Sequence, residues 1–187
     1  MAGDSKAASG RRTGREKEFA EFVAAYEPKA LATAWRILGS LADAEDAVQD
    51  AFLRAWRGIR HFRKEAKLGT WFYRILASAC ADAAVSRSTH RRREGSDAAL
   101  DIVPARSALP EAEAAVFEAR DRIMAALQSL SENQRKVFVL KHYEGLDVAE
   151  IADALDMAKG TVKSHLARAV FALRAQLRPG PEPEGEG

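Results

Sequence analysis

A single cysteine, Cys80, occurs in 187 residues, alongside only four histidines. One thiol excludes an internal disulfide and leaves too few thiolates for a structural zinc site. No apolar run approaches the length needed to span a bilayer, and the N-terminus lacks the apolar core of a signal peptide. These absences predict a soluble, cytoplasmic chain. A nucleophile–base set, a metal-ligand cluster and a phosphate-binding glycine loop are all missing, so neither an enzyme nor a cofactor is expected. The most informative absence is local. From Met157 to Arg178 there are five cations (Lys159, Lys163, Arg168, Arg174, Arg178) and no Asp or Glu. An exposed helix normally mixes signs, so this imbalance points to a polyanion, with duplex DNA the expected partner.

The net charge of +2 conceals strong sorting along the chain. Residues 16–59 carry five cations and eight acids, whereas residues 60–93 carry nine cations and two acids. Charge divided this way implies separate faces for separate partners.

The periodicity is helical throughout, and no alternating strand pattern competes with it. Residues 1–15 are Gly/Ser/Arg-rich without apolar spacing and are expected to form a disordered basic tail. Phe19, Phe22, Val23 and Tyr26 share one helical face; Leu31, Ala34, Trp35 and Leu38 repeat the spacing, and Gly39-Ser40 breaks it. Ala44, Ala47, Val48, Ala51, Phe52, Ala55 and Trp56 form an apolar stripe ended by Gly58. A further helix is predicted from about Thr70 through Val85. Residues 94–110 lose the periodicity and gain two prolines, as a linker would. Helical spacing resumes at Glu111, with Val116, Ile123, Leu127 and Leu130 as predicted core. Ser131 is placed to cap the next helix. Residues 179–187 read as a disordered acidic tail. The expected fold is all-α: a helical domain over 16–93 and a second over 111–178, joined by a flexible linker.

The second domain contains a helix-turn-helix pattern. Asp147 and Glu150 have capping-box spacing, so a helix should begin there; Asp156-Met-Ala forms the turn. In the following helix Val162, Leu166, Ala169, Leu173 and Leu177 make the buried stripe. That register turns Lys159, Thr161, Lys163, Ser164, His165 and Arg168 outward, where a second helix would read the major groove and its phosphates.

In the first domain Asp43, Asp46, Gln49 and Asp50 line one face of an amphipathic helix. A surface of that sign repels DNA and suits a basic or polar protein surface. Beyond it, the cations Arg60, Arg63, Lys64, Lys67 and Arg74 interleave with His61, Phe62, Trp71, Phe72 and Tyr73. Rings stack on unpaired bases while cations follow the phosphates, so single-stranded nucleic acid is the matching ligand. One of Trp71 and Phe72 is expected in the core.

Three motifs in this order resemble a known family. They are Asp43-Ala-Glu-Asp-x-x-Gln-Asp-x-Phe-Leu-Arg-Ala-Trp56, Gly69-Thr-Trp-Phe-Tyr-Arg-Ile75, and Leu130-Ser-x-x-Gln-Arg with Glu144-Gly-Leu, Glu150-Ile-Ala and Gly160-Thr-Val-Lys-Ser164. Together they resemble a bacterial RNA polymerase sigma factor of the extracytoplasmic-function type (group 4 of the sigma-70 family). The resemblance covers about residues 16–93, as a region 2-like domain, and 111–178, as a region 4-like domain. It implies that Asp46, Gln49, Asp50 and Leu53 contact the clamp of core polymerase. It further implies that His61, Phe62, Arg63, Lys64, Lys67, Trp71, Tyr73, Arg74 and Ser78 meet the single-stranded −10 element. Lys159, Thr161, Lys163, Ser164, His165 and Arg168 would meet the −35 duplex. The linker would lie along the RNA-exit path, and an inhibitory anti-sigma partner is implied. Ser78 stands where the family often has Asn, while His165, Ala167 and Val170 replace bulkier or cationic residues. The competing expectations are a conventional helix-turn-helix regulator acting without polymerase and a helical adaptor that binds only proteins.

Overall fold

Seven α-helices and one 3-10 turn form among the residues described, 3–62, 67–94 and 111–177 of a computed structural model; side chains are described at 14–60, 62, 67–89 and 114–177. The helices are α1 (Gly3–Leu38), α2 (Leu41–Gly58), α3 (Leu68–Glu94), α4 (Glu111–Ser129), α5 (Glu132–His142), α6 (Val148–Leu155) and α7 (Lys159–Leu177). The 3-10 turn spans Ile59–His61. The chain is all-α in its described residues, as its periodicity predicts.

Helices α1 to α3 pack on one another through the stripes read from the sequence. Gly39 adopts φ +75°, a conformation that strains any residue with a Cβ, and so turns the chain between α1 and α2. Ser40 then caps α2, its Oγ accepting from Asp43 N at 3.3 Å. α2 buries Ala44, Ala47, Val48, Ala51, Phe52 and Ala55. Phe72, fully buried, stacks on Phe52 at 4.8 Å between centroids and meets Phe22 edge-on at 5.2 Å. Trp71 is only half-buried, so Phe72 is the core ring of that pair.

The second set of helices is built around caps. Gln134 Oε1 accepts from Ser131 N at 3.3 Å ahead of α5. Asp147 Oδ1 accepts from Ala149 N and Glu150 N at 2.7 and 2.8 Å, and Glu150 Oε2 accepts from Asp147 N at 2.8 Å. This is the reciprocal box expected from the spacing. Asp156 ends α6 in the left-handed region at φ 51°, which Asp tolerates better than most residues. Met157 N then donates to Ala152 O at 2.9 Å, and α7 follows, burying Val162, Ala169 and Leu173.

Three sequence expectations are corrected. Helix α1 begins at Gly3, where a disordered tail was predicted over 1–15. Extending an established helix gains one hydrogen bond per residue fixed, without the cost of a new nucleus. Val116 and Ile123 are 68% and 40% exposed, not core. The buried residues of α4 are Met124, Ala126 and Leu127, with Leu130 buried just beyond its end, and Ile123 stands one residue, about 100° of helical rotation, away from Met124. Helix α3 starts at Leu68 and continues to Glu94, well past Val85. Residues 95–110 and 178–187 lie outside the described residues, and with them nearly all of the predicted linker and the acidic tail.

The two helical sets are in contact. α6 packs against α3, while α4 and α5 pack against α1. Cys80 is fully buried beside Lys136 of α5, and burial pushes its thiol up to about 12.

Candidate nucleic-acid interface and acidic groove

The amphipathic period of α2 positions the acidic face. Asp46, Gln49 and Leu53 are exposed, Leu53 by 51%. They edge an open groove of about 680 Å³ between α1 and α2, floored by Phe52 and walled by Phe19, Val23 and Leu31. Glu27 and Glu45 add acid to its rim. The α1 wall was missed in the sequence because Phe19, Val23 and Leu31 have ordinary core spacing; only the exposed Leu53 opposite hints that the stripe reaches the surface.

Asp50 differs from its neighbours. It is half-buried and ion-pairs with Arg54 at 2.5 Å; Arg54 also reaches Asp82 of α3 at 2.8 Å. Hydrogen bonds to Asp50 and then Asp82 hold the Arg54 guanidinium proton more tightly than usual. Arg54 Nη1 also donates to Ser78 Oγ at 3.4 Å, linking the acidic helix α2 to α3. Asp50 therefore orders Arg54 as well as lining the acidic face.

In α3, Arg74 and Ser78 are exposed. Trp71 packs on Phe62 with centroids 5.1 Å apart, forming an aromatic pair at the mouth of the loop before α3. Arg63, Lys64 and the His61 side chain lie outside the described residues. Tyr73 requires a correction: it is 5% exposed and so does not offer its ring to a base in this arrangement. Desolvation, followed by a hydrogen bond to Glu144 from the α5–α6 loop, drives its phenol well above the usual range. Glu144 Oε1 accepts from Thr33 as well, a fully buried residue of α1. Lys67, at the start of α3, pairs with Glu150 Oε1 at 3.2 Å, and Thr70 Oγ1 donates to the same oxygen at 3.0 Å. Thr33, Glu144 and Glu150 were missed as site residues. A polar Thr33 amid the buried Ala30, Ala34 and Ile37 was the available signal, since a buried hydroxyl needs a partner.

On α7, Lys159, Thr161, Lys163, Ser164 and Arg168 are exposed, as the sequence register requires. None of these three cations makes an ion pair among the described residues, so they present uncompensated charge. Ser164 Oγ donates back to Gly160 O at 3.0 Å. His165 is half-buried, with Nδ1 turned inward and unpartnered. The six residues share the N-terminal half of one helix. They are brought together more tightly than the −10 set, which is spread from the loop to Ser78.

Comparison with known proteins matches this division. The sigma-70 region 2 family covers residues 22–92, and the sigma-70 region 4 family covers residues 120–173. The chain is 32% identical over 180 residues to the ECF RNA polymerase sigma factor SigW of Bacillus subtilis, spanning 89% of this chain and 92% of that protein. It is 30% identical over 176 residues to the ECF RNA polymerase sigma-E factor of Escherichia coli, spanning 89% and 90%. Among solved structures it is similar to the sigma factor RpoE of Bartonella quintana, solved in complex with the anti-sigma factor NepR. The TM-score is 0.70 at 25% identity, over 86% of this chain and 97% of that one. The chain belongs to the extracytoplasmic-function group of the sigma-70 family.

Proposed function

We propose that the chain is a promoter-specificity factor that binds core RNA polymerase and directs it to start sites, with no catalysis of its own. The observation that carries this reading is the separation of two surfaces of opposite sign: the acidic groove edged by Asp46, Gln49 and Leu53, and the uncompensated cations of α7. DNA is repelled by the first and attracted by the second, so one chain can bridge a protein machine and its template.

In this reading the residue roles are distinct. Asp46, Gln49 and Leu53, with Asp50 beside them, hold the polymerase clamp. Phe62, Lys67, Trp71, Arg74 and Ser78, with His61, Arg63 and Lys64 of the preceding loop, take the single-stranded −10 element. Extruding a base forfeits a few kcal/mol of stacking, which the Phe62–Trp71 pair is suited to return. Lys159, Thr161, Lys163, Ser164, His165 and Arg168 meet the −35 duplex. The domains extend over 16–93 and 111–178, with 94–110 as the linker along the RNA-exit path. A protein that works with polymerase on DNA acts in the cytoplasm, associated with the nucleoid when bound. An anti-sigma partner is the expected regulator, since the similar RpoE was solved with one.

Run-off transcription with core polymerase is the test. Defined starts dependent on the chain are expected; their absence on every promoter offered would reject the reading. A conventional helix-turn-helix regulator predicts tight operator binding without polymerase, and gives no reason for the exposed Asp46–Leu53 face.

A further inference from the structure

We infer that Phe171 of α7 is a specificity-determining residue that reads a thymine methyl group in the −35 duplex, beside the polar and cationic residues already assigned to that helix. The inference deepens the promoter-reading function proposed above and rests on it.

Phe171 is 78% exposed, more than any other large apolar side chain among the described residues. Exposure alone carries little, since isolated apolar residues are common at protein surfaces. Position carries the argument. Val162 and Leu173 of the same helix are buried. Phe171 follows Val162 by nine residues, which at about 100° per residue places it diametrically opposite the buried stripe. It follows Ser164 by seven residues, so the two lie within about 20° of one face. Arg168 and Arg174 flank it three residues to either side; both are exposed, and neither makes an ion pair among the described residues. The ring is therefore set into the face proposed to meet DNA, between two cations suited to phosphates.

A helical side chain covers the turn N-terminal to its own Cα, so a ring at 171 lies over residues 167 and 168. Residue 167 is an exposed Ala, too small to obstruct it. The ring thus leans toward the N-terminal half of α7, the half that reads bases in a helix-turn-helix. Thymine's C5-methyl is the apolar mark that the bases display in the major groove; the remaining marks are hydrogen-bond donors and acceptors. A phenyl ring bonds none of the latter and packs on the methyl. Phe171 lies about 10 Å beyond Ser164 along the helix axis, or about three base pairs at roughly 3.4 Å each. The backward lean shortens that reach, so the thymine is expected about one to three base pairs from the pair nearest Ser164.

Holoenzyme on a promoter that gives defined starts supplies the experiment. Each thymine of the −35 element is replaced singly by uracil, which removes only the methyl. Binding is read from the anisotropy of a fluorescent promoter duplex, for wild type, Phe171→Ala and Phe171→Leu. With wild type, one position should lose about fourfold on methyl removal, the factor for one buried carbon. Phe171→Ala should bind the thymine promoter about fourfold or more weakly and be indifferent to the methyl at that position. Phe171→Leu, still apolar, should keep a reduced preference for thymine. Thermal midpoints of the free variants should match wild type, since the ring supports no core. Wild-type indifference to every uracil would overturn the assignment, as would equal methyl sensitivity in wild type and Phe171→Ala. Weaker competition for core polymerase by Phe171→Ala, or loss of self-association, would give the ring to a protein surface and reject the assignment equally. Defined starts without a methyl effect remove only this inference; no starts with wild type remove the function on which it rests.

Discussion

Arg54 of α2 and Asp82 of α3 are joined at 2.8 Å, and through Arg54 that contact extends to Asp50 at 2.5 Å and to Ser78 at 3.4 Å. One guanidinium thus ties the acidic helix to the helix proposed to read the −10 strand. Two carboxylates would face each other without it. Arg54 is 36% exposed and Asp82 61%, so water screens the pairs and each is worth only a fraction of a kcal/mol. Arg54→Met should lower the unfolding free energy by about 1 kcal/mol, and the deficit should shrink as salt screens the remaining repulsion. Urea titrations at low and high salt would show it; a deficit indifferent to salt would mean that packing of the side-chain stem dominates.

The acidic groove yields a prediction independent of folding. Leu53 is 51% exposed and Asp46 is also at the surface, so neither supports the core. Leu53→Asp or Asp46→Arg should weaken attachment to core polymerase about tenfold or more, the loss expected from removing one central contact of about 1.4 kcal/mol. The thermal midpoint should stay within error of wild type. Competition for core against the wild-type chain provides the measurement, and equal competition by both variants would displace the groove from the interface.

At α6, Asp147 and Glu150 are both held below their ordinary values of 3.8 and 4.5, chiefly by the backbone N–H groups each accepts. A carboxylate depressed on folding stabilises the fold above its unfolded value, and that contribution is lost as pH falls through the folded value. The helix-turn-helix should consequently loosen below about pH 4, in the window beneath those ordinary values. Asp147→Asn retains the cap oxygen and should be close to wild type at pH 7 while flattening the acid-side slope. Asp147→Ala should lower the midpoint at pH 7 by a few degrees. Circular dichroism melts from pH 2.5 to 7 test both statements; parallel slopes for Asn and wild type would count against the cap.

Legibility of the sequence followed how local the cause was. Asp147, Ser131 and Gly39 act through bonds within a few residues, so their caps and turn could be read directly. The α2 stripe and the outward set on α7 followed from the 3.6-residue period and a change of charge sign. Tyr73 failed because its phenol is bonded to Glu144, more than 70 residues away, which no local pattern reveals. Val116 and Ile123 failed because apolar residues on adjoining faces of α4 allow two registers, and only the partners α1 and α7 choose Met124 and Leu127. The helical extension of α1 to Gly3 carries no apolar spacing, and that missing spacing had suggested disorder.

The cations of α7 provide the sharpest separation of positioning from reading. Lys163 and Arg168 are exposed and make no ion pair among the described residues, so replacing them should leave stability near wild type. If Lys163 contacts a phosphate, Lys163→Ala should weaken binding to every duplex alike and reduce the slope of log affinity against log salt by about one. If Arg168 bonds a guanine edge, Arg168→Ala should lose about 1–3 kcal/mol on the cognate −35 sequence and much less on a scrambled one. Anisotropy with cognate and scrambled duplexes across a salt series distinguishes the two patterns. Identical slopes and identical discrimination in both variants would mean that α7 does not carry the DNA contact, and that the positive charge on its N-terminal half serves another partner.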